Sequence, residues 1–344
     1  MIQPISFAEE HIRDLQKTSK RDPVLLERAV YAFGLLEALA RVGMPFIFKG
    51  GTCLMLLMER PRRLSTDIDI IVVPGTDLDA FIQEASRIFP FQSVEEQKRI
   101  GKNKIEKRHF KFTYDSPINH RPLYILLDVL FEENHYAELV GKEIKTELLL
   151  TAPEYLTIQI PSTDCILADK LTAFAPHTTG IPLNAGKDME VMKQFYDVTS
   201  LLDIFSDLEH VRQTYEEIAK AEAAYRGLVI TAKDCLQDTF DAALCIAARG
   251  KYLAEEYAVY VKGIRELRGH IYAENYTPEI AAIRAPKVMY IAACLMSGAE
   301  YIQVDGDIGA SGKSLRSEKL KPLSYLRKVS PEAYAYVVLA DELI

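Results

Sequence analysis

Two aspartates, Asp67 and Asp69, interrupt the run "DIDIIVV" at 67–73, which is otherwise Ile and Val. Strands disfavour Asp, so something must compensate for them. Residues two apart on a strand share a face and stand about 6.6–6.8 Å apart at the backbone. The two carboxylates therefore project together, while Ile68 and Ile70 turn into the opposite layer. Side-by-side carboxylates repel, and partial burial disfavours their charged forms unless a cation is present. A hard divalent ion removes the conflict: Mg2+ takes one or two carboxylates together with phosphate oxygens. Asp128 interrupts a second apolar run, "YILLDVLF" at 124–131. If its strand lies beside that of Asp67 and Asp69, three carboxylates converge on a two-metal site suited to moving a phosphoryl-type group, with the ions about 3.5–4 Å apart. Without that neighbour, Asp128 reads as a buried, hydrogen-bonded aspartate.

Upstream, "FIFKGGTCLMLLMER" at 46–60 is an apolar strand broken by Gly50-Gly51, with a helix opening at Thr52. Unpaired backbone N–H groups at the positive end of a helix form a seat for phosphate. Glycine is needed there because a side chain would hold the phosphates off the backbone. Lys49 flanks the turn, and Arg63 and Ser65 stand just ahead of Asp67, within reach of a triphosphate. A Gly-Gly before a helix is by itself a common turn, and D-x-D occurs in many surface loops. Only the combination points to a metal–nucleotide site.

The elements that must position these residues follow from the pattern. "DPVLLERAVYAFGLLEALARVG" at 22–43 reads as one helix, with Asp22 as N-cap, Pro23 in the first turn and Gly43 at the exit. Val24, Leu25, Ala29, Phe33, Leu36 and Leu39 form an apolar stripe along it. "PFIF" is a short strand, "TCLMLLMER" a helix, "DIDIIVV" a strand and 77–88 a helix. Residues 109–131 read as two strands around a loop containing Pro117, Asn119 and Pro122, a hairpin pattern. From residue 161 the pattern changes to helices joined by a loop, and residues 207–344 are almost all helical pattern. The expected organisation is a small α/β domain with one mixed sheet over residues 1–200, followed by a helical domain over 201–344.

The composition excludes several classes. A net charge of −8 argues against a protein that coats nucleic acid, although "QKRIGKNKIEKRHFK" (97–111) and "KSLRSEKLKPLSYLRK" (313–328) read either as local basic grooves or as solvated charged faces. The five cysteines have no paired spacing, and the seven histidines no metal-ligand spacing. "DGDIGASGKS" at 305–314 fails as a phosphate-binding loop, because Asp307 stands where glycine is required. No uninterrupted apolar run approaches the roughly 18 residues of a membrane span and no export signal opens the chain, so a cytoplasmic address is expected.

"KGGTCLMLLMERPRRLSTDIDI" at 49–70 resembles the first motif of the nucleotidyltransferase fold in the form used by AbiEii/AbiGii-type toxins. That signature runs K-G-G-T, a short helix, then R-x-S-x-D-I-D, and Lys49, Gly50, Gly51, Thr52, Arg63, Ser65, Asp67 and Asp69 match it. The next motif, a Lys-Leu pair on a helix, is met by Lys170-Leu171, and the last by Tyr196 and Asp197 in "KQFYDVTSLL". Lys193 and Gln194 stand where the family has Arg and Asp. The resemblance covers residues 25–205. It implies an α+β fold, a small mixed β-sheet with flanking helices followed by a helical C-terminal domain. It also implies Mg2+-dependent transfer of a nucleoside monophosphate from a nucleoside triphosphate to an acceptor hydroxyl, and a toxin with a cognate antitoxin. In some members the acceptor is the end of tRNA.

Within that reading Asp67, Asp69 and Asp128 hold metal, and Lys170 neutralises charge on the leaving pyrophosphate. Asp197 either holds Lys170 or acts as a base. The plainer alternatives are an amphipathic-helix lysine and a helix-start carboxylate. Two rival functions share the fold: a nucleotidyltransferase acting on a small molecule, and a non-catalytic nucleotide- or partner-binding module.

Overall fold

A computed structural model describes residues 1–58, 60–97, 106–272, 274–306 and 308–344. The chain forms two compact units. One comprises Met1–Asn134, Glu138–Ser162 and Gly269–Glu274; the other comprises His135–Ala137, Thr163–Arg268 and Asn275–Ile344. The main division falls between Ser162 and Thr163, not near residue 200. The helices of 163–201, grouped with the sheet on sequence pattern, pack instead against later helices.

The first unit opens with α1 (Glu9–Ser19) and α2 (Pro23–Arg41). Asp22 caps α2, its carboxylate accepting from the Leu25 N–H at 2.9 Å, with Pro23 in the first turn. In place of one apolar stripe, α2 is buried on every side from Ala29 to Leu39. It is a central core helix. The chain continues through β1 (Ile47–Lys49), α3 (Gly50–Leu57), β2 (Ile68–Val72) and α4 (Asp79–Ala85). Then follow β3 (Ser93–Glu96), β4 (Lys107–Asp115), β5 (Pro122–Phe131), β6 (Leu139–Glu143) and β7 (Thr157–Pro161). Helix α4 is shorter than the 77–88 pattern suggests.

Among the described residues the seven strands form one sheet in the order β3-β4-β5-β2-β1-β7-β6. It is mixed, since β2 runs parallel to β5 and β1 to β7, whereas the other neighbours are antiparallel. The expected 109–131 hairpin is present as β4–β5. One face is apolar: Ile68 and Ile70 of β2, Phe110, Phe112 and Tyr114 of β4, and Ile125, Leu127 and Val129 of β5 are all buried, with α2 packed on β2 and β5. The alternate residues, among them Asp69, His109, Lys111, Leu126 and Asp128, stay partly exposed on the other face. That is the period-two pattern of a half-buried sheet.

The second unit consists of α5 (Thr163–Ala173), α6 (Asp188–Leu201), α7 (Leu208–Arg226), α8 (Ala232–Ala247), α9 (Ala254–Leu267), α10 (Pro278–Ser297), α11 (Leu326–Val329) and α12 (Pro331–Leu343). Among the described residues α10 is the one helix long and apolar enough to cross a membrane, by length and composition, but 67% of its most apolar stretch is buried. It packs on α8 and α12, as a core helix does. In the glycine-rich 305–314 segment, Asp307 lies outside the described residues, and Ala310–Gly312 form a single 3-10 turn.

Candidate active site

The glycine turn is built against the aspartate strand. Lys49, the last residue of β1, is the register partner of Asp69 on β2. Helix α3 begins at Gly50, two residues earlier than the pattern predicts. Gly50 has a φ of +82°, and a Cβ there would lie 2.1 Å from Asp69 Oδ2. Only glycine fits, on both counts. A Cβ on Gly51 would meet Ser65 Oγ at 2.7 Å and an Arg63 guanidinium nitrogen at 2.8 Å. The Thr52 hydroxyl donates to the Asp67 carbonyl at 2.6 Å. The 62–64 segment is itself held by backbone bonds to 270–272, Leu64 N–H to His270 O at 2.7 Å and Tyr272 N–H to Arg62 O at 2.8 Å. Lys49, Gly50, Gly51, Thr52, Arg63, Ser65, Asp67 and Asp69 thus form one contiguous corner.

The carboxylates continue from that corner across the sheet. Asp69 is the register partner of Asp128 on β5, and Asp128 is the register partner of His109 on β4. Lys49, Asp69, Asp128 and His109 therefore make a row over four adjacent strands, each about 4.8 Å from the next. His109 Nδ1 lies 2.6 Å from Asp128 Oδ1, with the imidazole 15% exposed and the carboxylate 35%. Asp67 stands just before β2, with Oδ1 at 3.6 Å from an Arg28 guanidinium nitrogen on α2 and accepting from the Thr66 hydroxyl at 3.4 Å.

Among the described residues no group of three or more His, Cys, Asp or Glu is arranged as a metal cage. The carboxylates are arranged instead as an adjacent pair, Asp69 and Asp128, plus Asp67 facing Arg28. The donor set still fits Mg2+: hard carboxylate oxygens on neighbouring strands, beside a turn whose missing Cβ lets the backbone pass close to Asp69 Oδ2. This ion takes one or two carboxylates and fills its remaining positions with phosphate oxygens and water.

Lys170, Gln194 and Asp197 belong to the second unit. Lys170 lies on α5, with its side chain 8% exposed, and pairs with Asp197 on α6 at 3.1 Å, where the carboxylate is 2% exposed. Lys170 Nζ also donates to Gln194 Oε1 at 3.1 Å. The residue that departs from the family pattern keeps a hydrogen-bonding role and gives up a negative charge. With one carboxylate and one amide around it, the ammonium is less neutralised than two carboxylates would leave it.

Sequence pattern alone misses two side chains here. His109 becomes visible once the hairpin register is known: six residues back from the turn pair Asp115/Pro122 on each strand lie His109 and Asp128. Arg28 has only a weak signal, the adjacent charged pair Glu27-Arg28 within a mostly apolar helix. The basic stretches resolve unequally. Residues 98–105 of the first lie outside the described residues; beyond them the Arg108 guanidinium is held by Glu96 and Asp79, both at 2.8 Å, and Lys111 lies 4.6 Å over the Tyr124 ring. In the second, Lys313 pairs with Glu342, Lys319 with Asp241 and Lys321 with Glu318. That is an ion-paired surface. All five cysteines are buried free thiols, and burial pushes Cys245 up to about 12 and Cys294 to about 11, which makes both poor nucleophiles.

A mixed sheet that carries a glycine turn against a D-x-D strand is the architecture of a nucleotidyltransferase. The sequence model of the family described as "Nucleotidyl transferase AbiEii toxin, Type IV TA system" matches residues 35–285. The chain belongs to that AbiEii family of nucleotidyl transferase toxins, and the family implies a nucleotide substrate and a cognate antitoxin. No curated protein matches the chain. Among solved structures, JHP933 from Helicobacter pylori is 15% identical, with a TM-score of 0.44 over 79% of this chain and 93% of that one. An antigenic nucleotidyltransferase-like protein from Paracoccidioides brasiliensis is 13% identical, with a TM-score of 0.36 over 58% of this chain and 91% of that one.

Proposed function

We propose that the chain transfers a nucleoside monophosphate from a Mg2+-bound nucleoside triphosphate to an acceptor hydroxyl, with the end of a tRNA as the first acceptor to test. The acceptor oxygen attacks the α-phosphorus, the bond from that phosphorus to the α,β-bridging oxygen breaks, and pyrophosphate leaves with the electron pair. Asp128 takes the acceptor proton, its carboxylate oriented by His109. Asp69, Asp67 and Asp128 supply the carboxylate oxygens that would hold Mg2+. When bound, the ion offsets phosphate charge and acts as a Lewis acid on the transferred group. Gly50, Gly51 and Thr52 seat the β- and γ-phosphates on the backbone of α3, flanked by Lys49, Arg63 and Ser65. Within the second unit, Asp197 and Gln194 fix the ammonium of Lys170. Most of the work is positioning and charge neutralisation.

One observation carries the reading: Asp69 and Asp128 are register partners, and Gly50 is pressed against the carboxylate of Asp69. Incubating the purified chain with each of four α-labelled triphosphates, Mg2+ and total tRNA is expected to label the RNA with one preferred nucleotide. Omitting Mg2+ is expected to abolish the transfer. Label found only on small-molecule hydroxyl acceptors would change the acceptor class. An Asp69→Ala chain as active as the wild type would end the site assignment.

A further inference from the structure

Glu27 and Arg28 are adjacent on α2, and only one of them is accounted for by the fold. Glu27 is fully buried and accepts from the hydroxyls of Tyr114 and Ser116, each at 2.9 Å, and from the Ile118 N–H at 3.1 Å. The Arg28 side chain is 32% exposed, and its Nε is buried without a hydrogen-bond partner. Among the described residues the acidic group within ion-pair reach is Asp67, at 3.6 Å, longer than a hydrogen bond. A guanidinium carries five N–H donors in a fixed fork. Buried donors left without acceptors are costly, and native structures rarely keep them without a reason.

The position of this fork indicates what would fill it. Asp67 accepts the Thr52 hydroxyl through its backbone carbonyl, so Arg28 stands at the corner where α3 begins. The other arginine there is already engaged: Arg63 is 6% exposed, lies against Gly51 and donates to the Leu64 carbonyl at 3.4 Å. A planar fork with spare donors, next to a turn that offers backbone N–H groups, suits the paired oxygens of a phosphate.

We infer that Arg28 is a ligand of the triphosphate tail, its guanidinium binding β- or γ-phosphate oxygens and resting against Asp67 when no nucleotide is present. This inference rests on the function proposed above and adds to it a residue that lies in none of the matched motifs. It makes a specific demand: Arg28 contributes to binding wherever a pyrophosphoryl group is present and contributes nothing to a nucleoside monophosphate.

Calorimetric titration of the full chain in Mg2+ tests it. The probes are the non-hydrolysable α,β-imido analogue of the best-bound triphosphate, inorganic pyrophosphate and the matching monophosphate. Arg28→Ala is expected to weaken the triphosphate analogue and pyrophosphate by about 10–100-fold, the scale of losing a charge-assisted bond, and to leave the monophosphate within about twofold. Arg28→Lys, which keeps the charge and loses the fork, is expected to fall between. Should Arg28→Ala fail to fold, Arg28→Lys and Arg28→Gln carry the same ordering. Unchanged triphosphate affinity in the variant, or an equal loss for all three ligands, overturns the inference. If the wild type binds and Asp69→Ala weakens it while Arg28→Ala does not, the proposed function stands and the role of Arg28 alone is wrong. If the wild type binds neither triphosphate nor pyrophosphate, both fall.

Discussion

The two ends of the β4–β5 hairpin each meet a carboxylate, and the fold treats the two in opposite ways. At the turn end, Glu27 is fully buried and receives donors from Tyr114, Ser116 and Ile118, while Tyr31 stacks on Tyr114 at 3.9 Å between ring centroids. At the other end, Asp128 keeps 35% of its side chain exposed and is paired with His109 at 2.6 Å. A buried charge is tolerated when its lone pairs are filled from within the protein. One left with open capacity at the surface is available to a ligand. On this view Glu27 holds the hairpin in place, and Asp128 works from it.

The largest effect expected from this contrast is at Asp69. Asp69→Ala removes the central carboxylate of the row, and nucleotidyl transfer should fall by roughly a thousandfold or more, the several kcal/mol that metal-assisted charge stabilisation supplies. Its melting temperature should change by only a few degrees, since the side chain is partly exposed and lies outside the apolar face of the sheet. Single-turnover labelling beside calorimetric melting separates the two readouts. A variant that loses activity only in proportion to its folded fraction would place Asp69 in the same structural class as Glu27.

Glu27→Ala should behave in the converse way. It leaves two hydroxyls and a backbone N–H without their acceptor in a sealed site, which costs about 3 kcal/mol of stability. Urea denaturation reads that loss. Activity per folded molecule should stay within about threefold, because the nucleotide corner is untouched; a large drop in the rate of the folded fraction would break the contrast.

His109→Leu stands between these cases. Partners that orient a ligating or proton-accepting group typically affect activity by about 10–100-fold. Here kcat should carry the loss, with KM for the nucleotide nearly unchanged, since His109 touches Asp128 and not the glycine turn. His109→Asn can place an amide N–H where Nδ1 stands, and it should recover most of the rate. Failure of asparagine to rescue would mean that the imidazole does more than orient Asp128.

Much of this corner was legible in the sequence because its residues lie close along the chain and break the local rules. Aspartates within an Ile/Val strand and a Gly-Gly ahead of a helix break local rules, and such breaks concentrate at functional or strained sites. The β4–β5 hairpin was legible for the ordinary reason of two apolar runs around a turn-forming loop. His109 was not, because its role depends on a register that a shift of one residue would invert. Arg28 was not, because its weak local signal says nothing of a contact with a loop 39 positions further on. Strands β3, β6 and β7 were missed: β3 and β6 are short and bury none of their side chains, and β7 is only five residues long. The join expected near residue 200 reflects a different failure: a change from strand to helix pattern says where elements change, not what they pack on. Lys170 illustrates the same point, since on α5 it looks like a surface lysine and is buried against Asp197.

The smallest expected effect sharpens the contrast in the second unit. Asp238 on α8 is, like Glu27, a buried carboxylate with its capacity filled: it accepts from the His177 N–H and the Thr178 hydroxyl, each at 2.8 Å, with His177 Nδ1 at 2.7 Å from its other oxygen. The difference is that one partner titrates. Burial alone would lower the His177 pKa, but the bond to Asp238 and the charges of Asp238 and Glu256, the latter 3.4 Å from Nε2, outweigh it and raise it. The folded chain therefore holds this proton more tightly than the unfolded one. The resulting stabilisation is complete below the ordinary histidine value of about 6.5 and is lost as pH rises through the raised folded value. Because the imidazole is 49% exposed, solvent screening keeps the effect under about 1 kcal/mol. Urea unfolding at pH 6 and pH 8.5 should show the wild type losing more stability across that interval than His177→Gln does. Equal losses would mean that Thr178 and the backbone satisfy Asp238 unaided, which would make it a second Glu27 and remove pH from its account.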